Sequence, residues 1–391
     1  LINFANVLLG QLRNQEALPL LEKVVALRPD HSVCWCKLAQ CCYLIGLHQK
    51  GFDASQQALT SAVDVPQRVN ALTQSALHRR ELGQIKEAIA DCEQAISLAP
   101  DADFLYTNCM LFMLADADRG IDDVVQVART YGAKFGEPWR SHWPDYSAID
   151  HAPWRRLRIG FVSPDFRSHA VMYFVEGLLA QLDRRMFEVV AFYLYPSGDH
   201  ITKRVECHVD RFIRIDQMNA QQRFQAIRDA KIDIAIDLSG HTGSNALDVL
   251  MRKPAPIQIS WLGYPATTGL AAMDYKFTDE VTDPPSADDQ YAETLYRLPT
   301  LFCCYRPMIR GPLLRYQPMY QVQPTPALRN GYITFGTCNN LGKLTDQVLA
   351  LWGRILQSIP GSRLLVEGKN LSHASMATSF RQRCDRLGLD S

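Results

Sequence analysis

The sequence predicts two kinds of structure in succession, an α-solenoid of helical repeats and then an α/β region built on parallel sheets. Residues 1–118 carry a helical pattern that recurs about every 34 residues. From residue 157 onward, short apolar runs rich in strand-forming residues alternate with helical segments, which favours parallel strands joined by helices. A second series of the same kind begins at residue 331, after a stretch rich in proline.

These patterns divide the chain into five predicted parts. They are helical repeats over 1–118, a capping helix and connector over 119–156, a first α/β lobe over 157–300, an interlobe linker over 301–330 and the start of a second α/β lobe over 331–391. The linker is predicted from its prolines, which break regular structure. The second lobe would be incomplete, and we expect the chain to be a piece of a longer protein.

Composition excludes several classes of partner. Lys+Arg and Asp+Glu both number 41, so no overall field draws the chain to nucleic acid or to an anionic membrane. No apolar run approaches the ~20 residues that span a bilayer, and no signal peptide opens the chain. The 11 cysteines contain no C-x-x-C pair, which speaks against a zinc ribbon or a redox dithiol. We therefore expect reduced thiols and a cytoplasmic location.

The first 118 residues place small side chains at matching repeat positions, and the middle repeat opens with Trp35 and Leu38. The three matching sets are Ala5, Ala39 and Ala76; Ala17, Gly51 and Ala88; and Val24, Ala58 and Ala95. This pattern resembles the tetratricopeptide repeat, in which small residues let paired helices approach closely. A generic helical bundle is the plainer alternative. Such repeats bind proteins or peptides, so this part predicts recruitment of a partner or substrate.

His169 is the first candidate site residue of the α/β region. It follows an apolar strand from Leu157 to Val162 and a polar turn, and it precedes a predicted helix over Ala170–Leu182. Ligands bind at the carboxyl ends of the strands in open α/β sheets. Position alone leaves a capping or core histidine as an equal alternative.

Three further loops follow predicted strands of the same lobe. Asp237 lies near the end of the predicted strand Ile232–Leu238, and the turn after that strand contains His241 and Thr242 between glycines. The loop 262–269 is rich in glycine and hydroxyl groups, and Asp279 closes the next strand. We expect these loops and His169 to converge at one edge of the sheet, where glycine permits a ligand to approach the backbone closely.

The second lobe opens with a strand over Tyr332–Gly336, followed by a loop that ends at Lys343 and a helix over Thr345–Ser358, for which Thr345 is the predicted N-cap. A lysine beside a strand-to-helix turn suits an anion, because backbone N–H groups already favour negative charge there. Without further information, an ordinary surface lysine is the commoner interpretation.

Longer motifs carry a resemblance to a known family. They are RKPAPIQISWLGYPATTG at residues 252–269, DLSGHT at 237–242, GFVSPDFRSH at 160–169, and MDY and TD shortly after the first of these. They are similar to the catalytic region of the O-GlcNAc transferase/SPINDLY family, glycosyltransferase family 41. That family joins tetratricopeptide repeats to a GT-B region of two Rossmann-like lobes, and this chain has the same order. The resemblance predicts an α-solenoid followed by GT-B lobes, the second one incomplete.

The resemblance also implies an activity and residue roles. Family members transfer a sugar from a nucleotide donor, here foremost UDP-GlcNAc, to a protein hydroxyl with inversion and without a required metal. Lys343 would meet the donor diphosphate, and His169 would act as general base or position the acceptor. Asp237 and His241 are weaker candidates for a proton relay, or orient their loop. The remaining predicted donor-binding residues are Asn339, Asn340, Thr242, Gly263, Tyr264 and Thr268.

Two alternatives stay open. SPINDLY-like relatives use a fucosyl donor and others glucosylate asparagine, so donor and acceptor are undecided. The second alternative is a non-catalytic repeat scaffold with a degenerate transferase region. Two departures from the family pattern bear on this: Ala170 stands where relatives often have proline, and the expected ribose-binding part of the second lobe does not follow. We expect little turnover from this piece alone. No dinucleotide fingerprint or Walker loop supports NAD or ATP chemistry.

Overall fold

The computed structural model describes residues 1–306 and 321–389, and their contacts form two compact units. One unit contains Leu1–Arg119 and Gln321–Ser391, and the other contains Gly120–Tyr320. Much of the predicted linker, including Pro307, Pro312 and Pro318, lies outside the described residues. The five-part division from the sequence stays a prediction, and the contacts group the repeats with the start of the second lobe.

The repeats are antiparallel helices joined by short turns. In chain order they are α1 Ile2–Gly10, α2 Asn14–Leu27, α3 Ser32–Ile45, α4 His48–Thr60, α5 Val65–Glu81, α6 Ile85–Leu98 and α7 Asp103–Met113. All nine small residues that define the repeat in the sequence are buried. Gly51 shows why size matters there, because a Cβ atom at its position would lie 2.1 Å from the ring of His78. The predicted solenoid is confirmed.

A helix and irregular turns open the second unit. Helix α8 spans Ile121–Tyr131 and continues into a π-helical turn over Gly132–Gly136 and a 3₁₀ turn over Glu137–His142. The contacts of the structure assign α8 to this unit. Gly132 lies against the loop 262–269, because a Cβ atom there would be 1.8 Å from the Gly269 carbonyl oxygen.

A parallel sheet forms the core of the second unit. Its strands are β1 Leu157–Ser163, β2 Phe187–Tyr193, β3 Arg211–Arg214, β4 Ile234–Asp237, β5 Ile257–Ser260, β6 Tyr275–Thr278 and β7 Thr294–Arg297. They lie in the order β3-β2-β1-β4-β5-β6-β7, and each neighbouring pair is parallel. The order reverses between β1 and β4, which is the switch point where α/β sheets open a crevice for ligands.

The helices of this unit that follow α8 connect strands of the sheet. They are α9 Met172–Gln181, α10 His200–His208, α11 Ala220–Asp229 and α12 Leu247–Leu250. The sequence predicted α9 to within two residues at each end, whereas it offered no prediction of α10 or β7. The core between sheet and helices includes Phe161, Val175, Tyr193 and Trp261.

The remaining elements begin the second lobe. They are α13 Pro326–Asn330, β8 Thr334–Thr337, a 3₁₀ turn over Leu341–Lys343, α14 Asp346–Ser358, β9 Arg363–Val366, a 3₁₀ turn over Lys369–Ser372 and α15 Ala374–Arg386. Strands β8 and β9 are parallel. The predicted N-cap is confirmed, because the Thr345 hydroxyl accepts a hydrogen bond from the Val348 amide at 3.3 Å. Within the described residues, no helix has the length and apolar character needed to cross a membrane.

Candidate active site

His169 lies in the loop after β1, beside the switch point of the sheet. Its Nδ1 is 3.5 Å from Oδ2 of Asp165, and the Val171 amide donates to the same nitrogen at 3.4 Å. The side chain is 38% exposed, so it is neither a core histidine nor a fully solvated one. Burial lowers the pKa of His169 from its ordinary value, although the Asp165 carboxylate opposes the shift. The ring is therefore neutral near neutral pH.

Helix α10 holds the His169 loop in place. Its N-cap, Asp199, accepts hydrogen bonds from the amides of Ile201 at 2.8 Å and Thr202 at 3.1 Å. The other Asp199 oxygen accepts from the Ser168 amide at 2.6 Å. The Thr202 hydroxyl donates to the Phe166 carbonyl at 2.7 Å. The N-terminus of α10, a helix that the sequence did not predict, thus holds the backbone of Ser168, the residue before His169.

Asp237 closes the turn after β4. It is 1% exposed and accepts hydrogen bonds from the amides of Ser239 at 3.2 Å and Gly240 at 2.7 Å. Gly240 has a φ of +53°, which glycine adopts without strain. Burial raises the pKa of Asp237 to about 6 despite the amide hydrogen bonds. These contacts favour the alternative in which Asp237 orients its loop.

His241 is fully buried beneath the same edge. Its Nε2 lies 2.9 Å from the Thr268 carbonyl oxygen, and its ring meets Tyr131 edge-on with the centroids 4.7 Å apart. Burial lowers the pKa of His241 to about 4, so the ring is neutral. Because Nε2 faces a carbonyl oxygen, Nε2 carries the ring hydrogen. His241 therefore ties its own turn to the loop 262–269. Thr242, which follows it, is half-buried and donates from its hydroxyl to the Ser239 carbonyl at 3.0 Å.

The loop after β5 approaches the β4 turn very closely. Leu262 has a φ of +70°. Few residues other than glycine adopt a positive φ, and those that do are concentrated at functional sites. A Cβ atom at Gly263 would lie 2.1 Å from the Leu238 carbonyl oxygen, so only glycine fits. Gly263 remains half-exposed, whereas the side chains of Tyr264 and Thr268 are buried. Of the predicted loop residues, the Gly263 backbone is the one that a ligand can reach.

A buried carboxylate supports this loop from below. Glu293 is 4% exposed, and its Oε2 accepts from the Thr267 hydroxyl at 2.6 Å while its Oε1 accepts from the Thr268 amide at 2.7 Å. The Lys276 ammonium donates to the Tyr264 carbonyl at 2.9 Å. Burial lowers the pKa of Lys276, and the nearby Glu293 charge opposes that shift. The loop backbone is thus held by charged groups that lie beneath it.

Three predicted donor residues lie in the other unit, after β8. The Asn340 side chain accepts a hydrogen bond from the Gly342 amide at 3.0 Å and so begins the 3₁₀ turn Leu341–Lys343. Asn339, Asn340 and Lys343 are exposed. The turn presents a lysine and two amide side chains at the carboxyl end of a parallel strand, which is where α/β lobes bind anions.

A cavity of about 640 Å³ lies at the carboxyl ends of β8 and β9 within this unit. Asn339 and Asn340 line it on the lobe side, and Tyr43, His48 and Glu81 line it on the repeat side. Repeat helices therefore form one wall of the edge at which the second lobe would bind a ligand.

The structure brings one group of predicted residues together and shows others that the sequence did not reveal. The loops that carry His169, Asp237, His241 and Gly263 follow the adjacent strands β1, β4 and β5. Asp165 was missed as the partner of His169, although a carboxylate four residues before a candidate histidine is a usable signal. No local sequence pattern marks Glu293, Lys276 or Tyr131, because only the tertiary packing of distant segments brings them to the site.

No group of three or more His, Cys, Asp or Glu side chains could hold a metal ion in the part of the chain that the structure describes. Candidate ligands for a nucleotide sugar are instead amides, hydroxyls, backbone groups and Lys343. Such groups bind phosphate and sugar hydroxyls directly.

Comparison with known proteins shows which family this chain resembles. Residues 141–309 match the model of glycosyl transferase family 41. A probable UDP-N-acetylglucosamine–peptide N-acetylglucosaminyltransferase SPINDLY of Solanum lycopersicum is 36% identical over 302 residues, covering 75% of this chain and 31% of the relative. The Arabidopsis thaliana protein of the same name is 38% identical over 285 residues, covering 70% and 29%. The chain belongs to glycosyltransferase family 41.

The family 41 fold is supported by a solved structure as well. A mutant of Thermobaculum terrenum O-GlcNAc transferase, in which a lysine is replaced by methionine, superposes with a TM-score of 0.88 at 26% identity, covering 98% of this chain and 71% of that one. The predicted fold class, a repeat solenoid followed by glycosyltransferase lobes, is confirmed. This family 41 chain spans less than a third of the length of the two curated relatives.

Proposed function

We propose that this chain belongs to an inverting protein glycosyltransferase that moves N-acetylglucosamine from UDP-GlcNAc to Ser or Thr hydroxyls. The observation that carries the proposal is its similarity to family 41 relatives named for transfer from UDP-N-acetylglucosamine to peptides. The repeats would recruit the acceptor protein. The proposal includes no nucleic acid, membrane or metal.

The reaction is a single displacement at the anomeric carbon. The acceptor oxygen forms a bond to C1 as the bond between C1 and the phosphate oxygen breaks, and UDP leaves with the bonding electrons. The acceptor proton must move to a base or to solvent, and the leaving diphosphate gains negative charge. The protein must therefore supply a base, a positive charge and alignment of the two substrates.

His169 is the proposed base on the acceptor side. With the ring hydrogen on Nδ1, directed at the Asp165 carboxylate 3.5 Å away, the lone pair of Nε2 is available for the acceptor proton, and the Val171 amide contact to Nδ1 belongs to the other tautomer. The neutral ring can take the proton, and the Asp165 carboxylate would stabilise the imidazolium that forms. A positioning role for His169 is the alternative, and the pH dependence of kcat/KM separates the two roles.

Lys343 is the proposed source of positive charge for the leaving diphosphate. It follows Asn339 and Asn340 on an exposed turn, and amide donors beside an ammonium suit the oxygens of two linked phosphates. Thr242 and the Gly263 backbone would contact the sugar. For Asp237, His241, Tyr264 and Thr268 we propose an orienting role, because all four are buried.

The experiment uses the full-length protein and a library of Ser- and Thr-containing peptides. UDP release and the mass of the peptides are measured with UDP-GlcNAc, UDP-glucose or GDP-fucose as donor. We expect addition of one N-acetylhexosamine, lost in His169→Ala and retained in His151→Ala, a matched control because His151 is also exposed in the same unit. Transfer from GDP-fucose or UDP-glucose alone would assign another donor. No transfer from any donor would favour the scaffold alternative.

We also propose the cytoplasm as the location of the protein. The cysteines of the described residues are all free thiols, which is usual in reducing compartments.

A further inference from the structure

The turn that carries Lys343 rests on the end of a repeat helix. Gly342 lies against the carbonyl oxygen of Arg80, the next-to-last residue of α5, and a Cβ atom at Gly342 would be 2.9 Å from that oxygen. A separation below about 3 Å is closer than real Cβ atoms come to backbone oxygen, so any larger residue must move the turn or the helix. The fit between turn and repeat is therefore tight at the residue that precedes Lys343.

Apolar side chains anchor the backbone on both sides of the lysine. Leu341 and Leu344 are buried in a cluster with Leu349 and Met376 of the lobe. Leu82, which follows α5 in the repeats, packs against the same cluster. Lys343 is thus an exposed residue between two buried leucines, Leu341 and Leu344. The cluster in which these leucines pack also contacts Leu82 of the repeats.

Polar contacts hold the start of α14 to the repeats as well. The Gln347 amide donates to Oδ1 of Asp118 at 2.7 Å, and Lys86 of α6 forms an ion pair with the other Asp118 oxygen. Arg383 donates to the Leu344 carbonyl at 2.7 Å and to Asp346 at 2.6 Å.

Gly83 provides the space for that arginine. Its φ is +79°, and a Cβ atom there would lie 2.4 Å from Nη1 of Arg383. Segment 341–347 therefore meets the repeats at three places, through Arg80, Leu82 and Asp118, and Arg383 links it to a fourth, Gly83.

From these contacts we infer that the C-terminal end of α5 and the loops beside it form a platform that positions the Lys343 turn for the donor. The inference rests on the proposed role of Lys343. A point charge stabilises a diphosphate only at the right place, and a displacement of about 1 Å can cost up to 100-fold. The repeats would thereby contribute to donor affinity in addition to recruiting the acceptor, and Arg80, Leu82 and Asp118 are positioning residues.

The test compares two glycine substitutions in the full-length protein. Gly342→Ala forces a Cβ atom against the Arg80 carbonyl, whereas Gly336→Ala, in β8 of the same lobe, meets only the Leu365 carbonyl at 3.9 Å. The affinity for UDP is measured by calorimetry, and amide exchange over residues 339–349 is measured by mass spectrometry without nucleotide. We expect Gly342→Ala to weaken UDP binding roughly tenfold and to speed exchange, and Gly336→Ala to change neither.

Asp118→Ala is a second variant, chosen because the Asp118 side chain is half-exposed and its truncation leaves no buried cavity. We expect the same two changes, smaller in size. Normal UDP binding by the parent with unchanged affinity and exchange in both Gly342→Ala and Asp118→Ala would overturn the platform alone. Absence of UDP binding by the parent would instead overturn the proposed function, and the donor role of the platform with it.

Discussion

The Glu293 carboxylate accepts a hydrogen bond from the Thr268 amide at 2.7 Å, across 25 residues of chain. The same oxygen accepts the Thr268 hydroxyl, and the other oxygen accepts the Thr267 hydroxyl. The Thr268 carbonyl in turn contacts His241. Two loops at the edge of the sheet are therefore held from beneath by one buried carboxylate, although no catalytic role is proposed for it.

Replacement of Glu293 by Gln tests this support. The amide NH₂ cannot accept from Thr267 or Thr268, so we expect a loss of about 2–4 kcal/mol in the free energy of unfolding. We also expect reduced transfer per folded molecule, because the Gly263 loop shifts. Glu176→Gln is the matched control, since Glu176 is a buried carboxylate of the same unit that pairs with Arg204 at 2.8 Å. Denaturation measures the free energy of unfolding of the two variants, and steady-state kinetics measures their activity. Equal loss of activity per folded molecule in the two variants would contradict a specific support of the Gly263 loop by Glu293.

Lys343→Ala should weaken the binding of UDP. Hydrogen bonds to charged groups contribute about 1.5–3 kcal/mol, which corresponds to roughly a 10- to 100-fold rise in Kd. Arginine at this position should recover part of the loss, because it keeps the charge. Arg354→Ala removes an exposed positive charge from α14 of the same lobe and serves as the control in calorimetry. A Kd that rises equally in both variants would point to a general charge effect.

The proposed role of His169 has a definite pH dependence. The neutral ring is the active form, so kcat/KM should fall as the ring becomes protonated. Because burial lowers the pKa of His169, that fall should lie below the ordinary value of 6.5. Asp165 raises the pKa of His169, and Asp165→Asn should therefore move the fall to still lower pH. The pH profile of kcat/KM measures both, and a profile that Asp165→Asn leaves unchanged would exclude His169 as the titrating base.

Gly132→Ala should destabilise the second unit. Alanine usually stabilises a helix relative to glycine by about 0.5–1 kcal/mol. At Gly132, however, the added Cβ atom would lie 1.8 Å from the Gly269 carbonyl oxygen, and this backbone clash outweighs the propensity. Gly10→Ala is the control, because Gly10 lies in α1 with no atom within 4 Å of its Cβ position. Thermal melting should show a lower Tm for Gly132→Ala and an equal or higher Tm for Gly10→Ala; the reverse order would refute the close packing.

Local patterns were enough to predict much of the fold. The repeat register appeared in the spacing of small residues such as Ala39 and Ala76, because close helix packing selects them at every repeat. Strand–turn–helix signals located the loops of His169 and Lys343. Short elements without a distinct pattern were missed: α10 is nine residues long, and β7 is a four-residue strand at the end of the sheet.

The sequence by itself determined the class of structure, the edge of each lobe at which a ligand would bind, and the family motifs around Gly263. Those features depend on periodicity and on residues that are neighbours along the chain. Only the tertiary structure decided that Glu293 supports Thr268, that Asp199 holds Ser168, and that Arg80 meets Gly342. Each of these contacts joins segments that are far apart in sequence, and it forms only after the helices and strands between them have packed.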